Sequence, residues 1–247
     1  MRVVCAGHVN WDVTMRVDSL PAPDAESVVL DRRESGGGSA ANVAVALSNL
    51  GVSVSLLGSV GTDERGERTR RELVAAGVDT DPLRVVEGRT AVKYLLVDEA
   101  GEVAVVDDGG VNESVRPESV SPELFEDAVV CHLTGQRPDT AARLAELASE
   151  AGVTVAFDPG RRLGRQDYAA TLEAPDVTLE HPGYGLPSVD TTGAGDAFAA
   201  GFHAARLRGT EVERALAVAN ACGALAAATP GRRPELARER ARALVDG

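Results

Sequence analysis

The sequence has one lysine and few aromatic residues. Lys93 is the single lysine among 25 cationic residues, and aromatic side chains make up 3% of the 247 residues. Scarce aromatics disfavour a pocket that holds a planar base by stacking. The 38 acidic residues give a formal net charge of −13. Such a charge repels polyanions and is tolerated in a salty cytoplasm, so we expect no nucleic-acid partner.

Cysteines and long hydrophobic runs are also scarce. Cys5, Cys131 and Cys222 are far apart in apolar stretches, so we predict buried free thiols and neither disulfides nor a metal site. The four histidines lack zinc-site spacing. No apolar run approaches the ~18 residues of a membrane helix, and the N-terminus lacks a signal-peptide pattern. We therefore expect a cytoplasmic protein without a membrane partner.

Short β-rich runs alternate with helical patterns, which predicts βαβ units. The fold class expected is α/β, a doubly wound and mainly parallel sheet forming one domain over residues 1–247. Two segments, about 13–34 and 90–107, alternate apolar and polar residues and are predicted to leave this sheet as a small β-sheet lid. The main strands are predicted at 3–7, 54–61, 129–135, 153–160 and 174–180, and the helices at 39–51, 64–77, 139–152, from about 195, and 213–228.

The most informative motif is DTTGAGD at 190–196, directly before a helical pattern. Glycines at the start of a helix let backbone N–H groups approach a phosphate, and the helix N-terminus favours negative charge. Asp196 falls in the first turn, where a base can take a proton from a hydroxyl that attacks the phosphorus. The alternative is a carboxylate that only stabilises its helix, by ~0.3–1 kcal/mol. The complete motif favours catalysis by Asp196.

Two further motifs supply polar groups. SGGGSAANVAVAL at 35–47 places consecutive glycines before an apolar helix, with Asn42 in its first turns. A flexible linker would not be followed by such a helix. GHVNWD at 7–12 places Asn10 and Asp12 after the first strand, at the edge where open α/β sheets bind ligands. Trp11 between them is a candidate for stacking on a ring or for packing in the lid or core.

Together GHVNWD, GGSAAN (37–42) and DTTGAGD resemble the ribokinase, or PfkB, family of carbohydrate and nucleoside kinases. The resemblance implies ATP as phosphoryl donor, Mg²⁺, a K⁺ or similar cation site, a sugar-like acceptor and a homodimer formed through the lid. It assigns catalysis to Asp196 and an anion hole to Gly193, Ala194 and Gly195. It assigns acceptor binding to Asn10, Asp12, Gly37, Gly38, Asn42 and Gln136. It assigns nucleotide binding to Asn220 and binding of the monovalent cation to Asp190 and Thr192.

The sequence departs from this family between Glu180 and Asp190. The family has an Asn-x-x-Glu motif that supports Mg²⁺ and a nucleotide-contacting strand here, and this chain has neither. About 40–60 residues, one or two βαβ steps, have no counterpart. Either the chain omits a segment of the natural protein or the protein is naturally short. Loss of central strands exposes apolar sheet edges, which favours omission.

Two classes of function remain from the sequence alone. The first is an ATP-dependent kinase acting on a hydroxyl of a sugar, sugar acid or nucleoside. The second is a degenerate relative that binds the sugar without catalysis, for which the missing Mg²⁺ motif argues. A Rossmann dehydrogenase is excluded because no GxGxxG follows the first strand. Which acceptor is used is open at this point.

Overall fold

A computed structural model describes residues 1–160, 166–169, 171, 181–186, 191–229 and 238–246. The strand predicted at 174–180 and the predicted cation ligand Asp190 lie outside these residues. Within them no helix is both long and apolar enough to cross a bilayer.

The strands are β1 (Arg2–Ala6), β2 (Asn10–Val17), β3 (Val29–Gly37), β4 (Ser53–Leu57), β5 (Ser59–Gly61), β6 (Arg84–Val86), β7 (Ala91–Val97), β8 (Val103–Asp108), β9 (Ala128–Thr134) and β10 (Thr154–Asp158). The helices are α1 (Ser39–Asn49), α2 (Glu64–Ala75), α3 (Pro138–Glu150), α4 (Ala194–Arg206), α5 (Val212–Ala227) and α6 (Arg238–Asp246).

The main sheet has the order β10-β9-β1-β4, and all its pairs are parallel. Alternate residues of β1 enter two different cores, because successive side chains of a strand point to opposite faces. Val3 and Cys5 pack in a cluster with residues of α1 and α4, whereas Val4 and Ala6 pack with residues of α3. Helices therefore cover both faces, and the predicted doubly wound α/β architecture is confirmed.

A second sheet has the order β3-β2-β7-β8. β2 pairs antiparallel with β3 and parallel with β7, and β7 pairs antiparallel with β8. We refer to these four strands as the lid sheet. Asn10 and Asp12 follow β1 along the chain, as expected, and they lie within lid strand β2, which begins before the predicted lid start at about residue 13. The lid sheet therefore carries these two side chains of the predicted acceptor site.

The three cysteines are buried and free, as predicted. Burial raises the pKa of the Cys222 thiol to about 11 and raises those of Cys5 and Cys131 further. A thiol is a nucleophile or metal ligand only as thiolate. These cysteines therefore serve as small apolar core residues.

Candidate active site

The carboxylate of Asp12 lies directly against the backbone of Gly37. Asp12 is 1% exposed, and a Cβ atom added to Gly37 would lie 1.7 Å from its Oδ2. The pairing of β2 with β3 places Asn10 opposite Gly37, two residues before Asp12 and on the same face of the strand. Glycine is required at this position because any side chain would displace the carboxylate.

Gly38 turns the chain from the lid sheet into α1. Its φ of 96° is unfavourable for other residues, and an added Cβ would lie 2.3 Å from the carbonyl oxygen of His8. The Gly38 carbonyl accepts a hydrogen bond of 2.8 Å from the backbone N–H of Asn42. The glycine run thus fixes the start of α1 and, with it, the position of the Asn42 side chain.

Asn42 joins two motifs that are 154 residues apart in the sequence. Its Nδ2 donates a hydrogen bond of 2.9 Å to Oδ2 of Asp196. Asn42 is 3% exposed and Asp196 is half-buried in the first turn of α4. This contact orients the proposed base relative to the glycine loop of the predicted acceptor site.

Gly193, Ala194 and Gly195 form the start of α4. Gly193 caps the helix in the left-handed conformation, with φ 79°. Gly195 is exposed, and a Cβ built there would meet no atom within 4 Å. The first N–H groups of a helix have no intrahelical acceptor, and here the Ala194 N–H donates a 3.2 Å hydrogen bond to the Thr191 carbonyl in the preceding turn. An open helix start with glycine on both sides of Ala194 fits a phosphate group.

A loop that follows β8 also contacts the site, and it was not predicted to do so. Asn112 Nδ2 donates to Oδ1 of Asn10 over 2.5 Å, and Asn112 Oδ1 accepts from the backbone N–H of Val9 over 3.1 Å. Glu113 Oε1 lies 2.9 Å from Nε2 of His8. The signal available in the sequence was Gly109-Gly110 followed by an amide and a carboxylate side chain. This loop therefore helps to hold the Asn10 side chain in place through the Asn112 amide.

Several buried polar atoms of Asn10 and of the end of β9 have no hydrogen-bond partner among the described residues. They are Asn10 Nδ2, Thr134 Oγ1 and Gln136 Nε2. The backbone carbonyl of Gln136 accepts a 2.6 Å hydrogen bond from the Tyr168 hydroxyl, which holds its loop at the end of β9. Buried donors without partners are costly in a protein interior. A polar ligand such as a polyhydroxylated sugar would satisfy them.

Trp11 belongs to the lid and is not available to stack on a substrate. It is 0% exposed and packs with Val13 and Val92. Its Nε1 donates a 2.8 Å hydrogen bond to Glu34, and the Arg68 guanidinium carbon lies 4.7 Å from the ring centroid. Of the two interpretations left open from the sequence, the structure supports packing within the lid.

The nucleotide and cation residues are less closely tied to this cluster. Asn220 is half-buried in α5 and donates its Nδ2 hydrogen bond to the Leu216 carbonyl one turn earlier. Thr192 is half-buried in the turn before α4. No group of three or more His, Cys, Asp or Glu side chains able to hold a metal occurs in the described ranges. The roles predicted for Asn220 and Thr192 stay predictions.

A buried pair of histidines fixes α4 against the main sheet. His203 Nε2 lies 3.1 Å from Nδ1 of His132 on β9. Burial lowers the pKa of His132 to about 3, with a smaller contribution from His203, and lowers the pKa of His203 to about 4. Both imidazoles are therefore neutral at pH 7 and share a hydrogen bond. The pair helps to hold the helix that begins at the predicted anion hole.

Residues of the three predicted motifs thus meet in the structure. Comparison with known proteins agrees with the family that these motifs resemble. A family model described as pfkB family carbohydrate kinase matches residues 1–179 and 176–237. The chain belongs to the pfkB family. It is 50% identical to an ATP-dependent ribose-1-phosphate kinase of Halopiger xanaduensis, over 94% of each chain. It is 26% identical to the ribokinase of Bacillus subtilis, again over 94% of each chain.

Solved structures show the same fold. Ribokinase from Thermotoga maritima superposes with a TM-score of 0.85 at 18% identity, covering 100% of this chain and 99% of that chain. The nucleoside kinase of Methanocaldococcus jannaschii gives 0.81 at 20% identity, over 99% and 98%. The pfkB chain described here is an ATP-dependent phosphotransferase whose acceptor is a hydroxyl of a sugar or sugar-like molecule.

Proposed function

We propose that this kinase transfers the γ-phosphoryl group of ATP to ribose 1-phosphate, at its primary hydroxyl. The observation that carries the proposal is the 50% identity, over nearly the whole chain, to a kinase named for this acceptor. Nucleoside kinases are more distant, as illustrated by 25% identity to one from Methanothermobacter thermautotrophicus. The burial of Trp11 within the lid sheet also disfavours a base-stacking acceptor pocket.

The chemistry proposed needs no covalent intermediate, and the protein contributes positioning and electrostatic stabilisation. Asp196 takes the proton of the attacking hydroxyl. Asn42 carries an amide that cannot accept this proton, so it orients the Asp196 carboxylate in addition to contacting the acceptor. The backbone N–H groups of Gly193, Ala194 and Gly195 stabilise negative charge on the transferred phosphoryl group. The acceptor is held by Asn10, Asp12, Gly37, Gly38, Asn42 and Gln136.

The cofactor assignments rest on chemistry and on the family. Mg²⁺ neutralises charge on phosphate oxygens and is commonly held through the nucleotide phosphates with few protein ligands. The open start of α4 leaves room for such a nucleotide. A monovalent cation such as K⁺ would be held by Thr192 with Asp190, and Asn220 would lie near the adenine. Three free, buried thiols and the use of ATP are consistent with the cytoplasm as the location.

A coupled ADP-release assay tests the proposed acceptor. Ribose 1-phosphate, ribose and a set of nucleosides would be compared at equal concentration with ATP and Mg²⁺. We expect the highest kcat/KM for ribose 1-phosphate. Faster turnover of a nucleoside would show that the acceptor is a nucleoside and not ribose 1-phosphate. Absence of turnover with every acceptor would favour a degenerate relative that binds the sugar without catalysis.

We also propose a homodimer formed through the edges of the lid sheet. Val28, Val29 and Leu30 at edge strand β3 are 61%, 49% and 55% exposed, and Val106 on the opposite edge strand β8 is 59% exposed. Exposed apolar sheet edges require cover. Light scattering should therefore give a dimer, and Leu30→Glu should shift it towards the monomer. Val85→Glu, at a 48% exposed site on β6 outside the lid sheet, is the matched control. A monomeric wild type would contradict this arrangement.

We also propose that the natural protein has an internal segment between Glu180 and Asp190 that this chain lacks. The alignment to the Halopiger kinase runs over 278 positions, more than the 247 residues of this chain, which supports a segment of that relative with no counterpart here. The natural protein should then exceed 25.6 kDa by several kDa when its intact mass is measured. A mass equal to 25.6 kDa together with normal kinase turnover would show that this segment is not needed.

A further inference from the structure

The single lysine of the chain lies beside the proposed acceptor ligand Asp12. In the lid sheet Lys93 on β7 is the register partner of Asp12 on β2, and Asp107 on β8 is the register partner of Lys93. Ser35 on β3 completes this row. Neighbouring strands are ~4.8 Å apart, and register partners place their side chains on the same face. Lys93 therefore shares a sheet face with Asp12.

This face of the lid sheet is the one directed to the proposed acceptor site. Asn10 and Asp12 lie on it, and an added Cβ on Gly37 would meet the Asp12 carboxylate at the entrance to α1. The opposite face carries Trp11 and Val13, which are buried in an apolar cluster. Lys93 is half-buried, so its ammonium group is partly shielded from solvent.

The chain carries a lysine at this position alone. Every other cationic side chain of the protein is an arginine, and the net charge is −13. An anionic acceptor approaching this protein is repelled by that field unless a local cation compensates it. Lysine presents a compact, strongly hydrated point charge with three donors, and it binds phosphate as such a charge.

We propose that Lys93 binds the phosphate group of the acceptor and so selects a phosphorylated pentose over a neutral sugar. This inference rests on the proposed function and assigns the acceptor's anionic group to one residue. Asp12 would take the sugar hydroxyls while Lys93, on the next strand, takes the phosphate. The competing role is a structural ion pair with the carboxylates of Asp12 and Asp107 in the same row.

The decisive variant is Lys93→Met, which keeps the length of the side chain and removes its charge. We expect the Kd for ribose 1-phosphate, measured by calorimetry without ATP, to rise about tenfold or more, as loss of a charge-assisted contact implies. The Kd for ATP and the kcat/KM for ribose should stay within about threefold. Lys93→Arg should recover much of the lost affinity because it restores the charge.

The matched control is Arg32→Met, an equal change of charge on the other face of the same sheet. Arg32 is the register partner of Met15, and its side chain is 57% exposed. This variant should leave the Kd for ribose 1-phosphate unchanged. Thermal melting of each variant identifies loss of the fold, and Lys93→Arg then serves as the folded comparison.

Three results would overturn the role of Lys93. These are an unchanged Kd for ribose 1-phosphate in Lys93→Met, an equal loss for ribose 1-phosphate and ribose, or a similar loss in Arg32→Met. Failure of the proposed function has a different signature, because it concerns the wild-type protein. A wild type that phosphorylates neutral acceptors but not ribose 1-phosphate would reject that function, and the selection by Lys93 with it.

Discussion

Replacement of Asp196 by Asn is expected to lower kcat by about 10²–10⁴-fold, the usual contribution of a positioned general base. The amide has nearly the same shape as the carboxylate, and its oxygen can still accept the hydrogen bond from Asn42 Nδ2. The geometry of the site is therefore kept while the ability to take up a proton is lost. Acceptor affinity should stay within a few-fold of the wild type.

The control for this prediction is Asp139→Asn. Asp139 lies in the first turn of α3, as Asp196 lies in the first turn of α4, so both carboxylates stabilise a helix N-terminus. Because Asp139 also pairs with Arg137, thermal melting should show at least as large a loss of stability in Asp139→Asn as in Asp196→Asn. Steady-state kinetics should show a loss of kcat in Asp196→Asn alone. If Asp196→Asn retained more than about a tenth of wild-type kcat, Asp196 would be only a helix-stabilising residue.

Replacement of Asp12 by Ala is expected to weaken acceptor binding by about 10²-fold or more and to leave ATP binding intact. A buried carboxylate that accepts two hydroxyl hydrogen bonds contributes ~1.5–3 kcal/mol for each bond. The phosphate-binding turn at Gly193 belongs to a different element, so the substitution should not alter it. Separate calorimetric titrations with ribose 1-phosphate and with ATP measure the two affinities.

Asp12→Asn separates the charge from the packing. Asp12 is 1% exposed against Gly37, so Ala leaves a cavity in addition to removing the acceptor ligand. Asn preserves the volume, and we expect it to lose part of the acceptor affinity without a large change in melting temperature. If ATP affinity fell and acceptor affinity did not, the assignment of the two halves of the site would be reversed.

Much of the local structure could be predicted from residue patterns. The predicted helices at 39–51 and 139–152 are observed as Ser39–Asn49 and Pro138–Glu150, and the helix expected near Gly195 begins at Ala194. Periodicity encodes these elements because each buries one face. The strand β1 was predicted from its continuous apolar run, which is typical of a strand covered on both sides.

The lid was predicted to begin at about residue 13, whereas lid strand β2 begins at Asn10 and therefore carries both Asn10 and Asp12. A polar pair after a buried strand is typical of a loop at the edge of the main sheet, and the sequence contains no signal that separates this from a new strand. The structure continues the chain as β2 because Asn10 to Arg16 pair with β7, whose residues lie about 80 positions later. Such register is decided by packing between distant segments.

The sequence by itself determined the elements, the family and the chemical types present at the site, because hydrophobic periodicity and helix-start glycines are local properties of the chain. Only the tertiary structure decided which of these groups meet. Asn42 reaches Asp196 across 154 residues, and Asn112 reaches Asn10 across 102. Lys93 lies beside Asp12 because the two residues are register partners on neighbouring strands. Contacts of this kind depend on how the sheets and helices pack together, which no local pattern records.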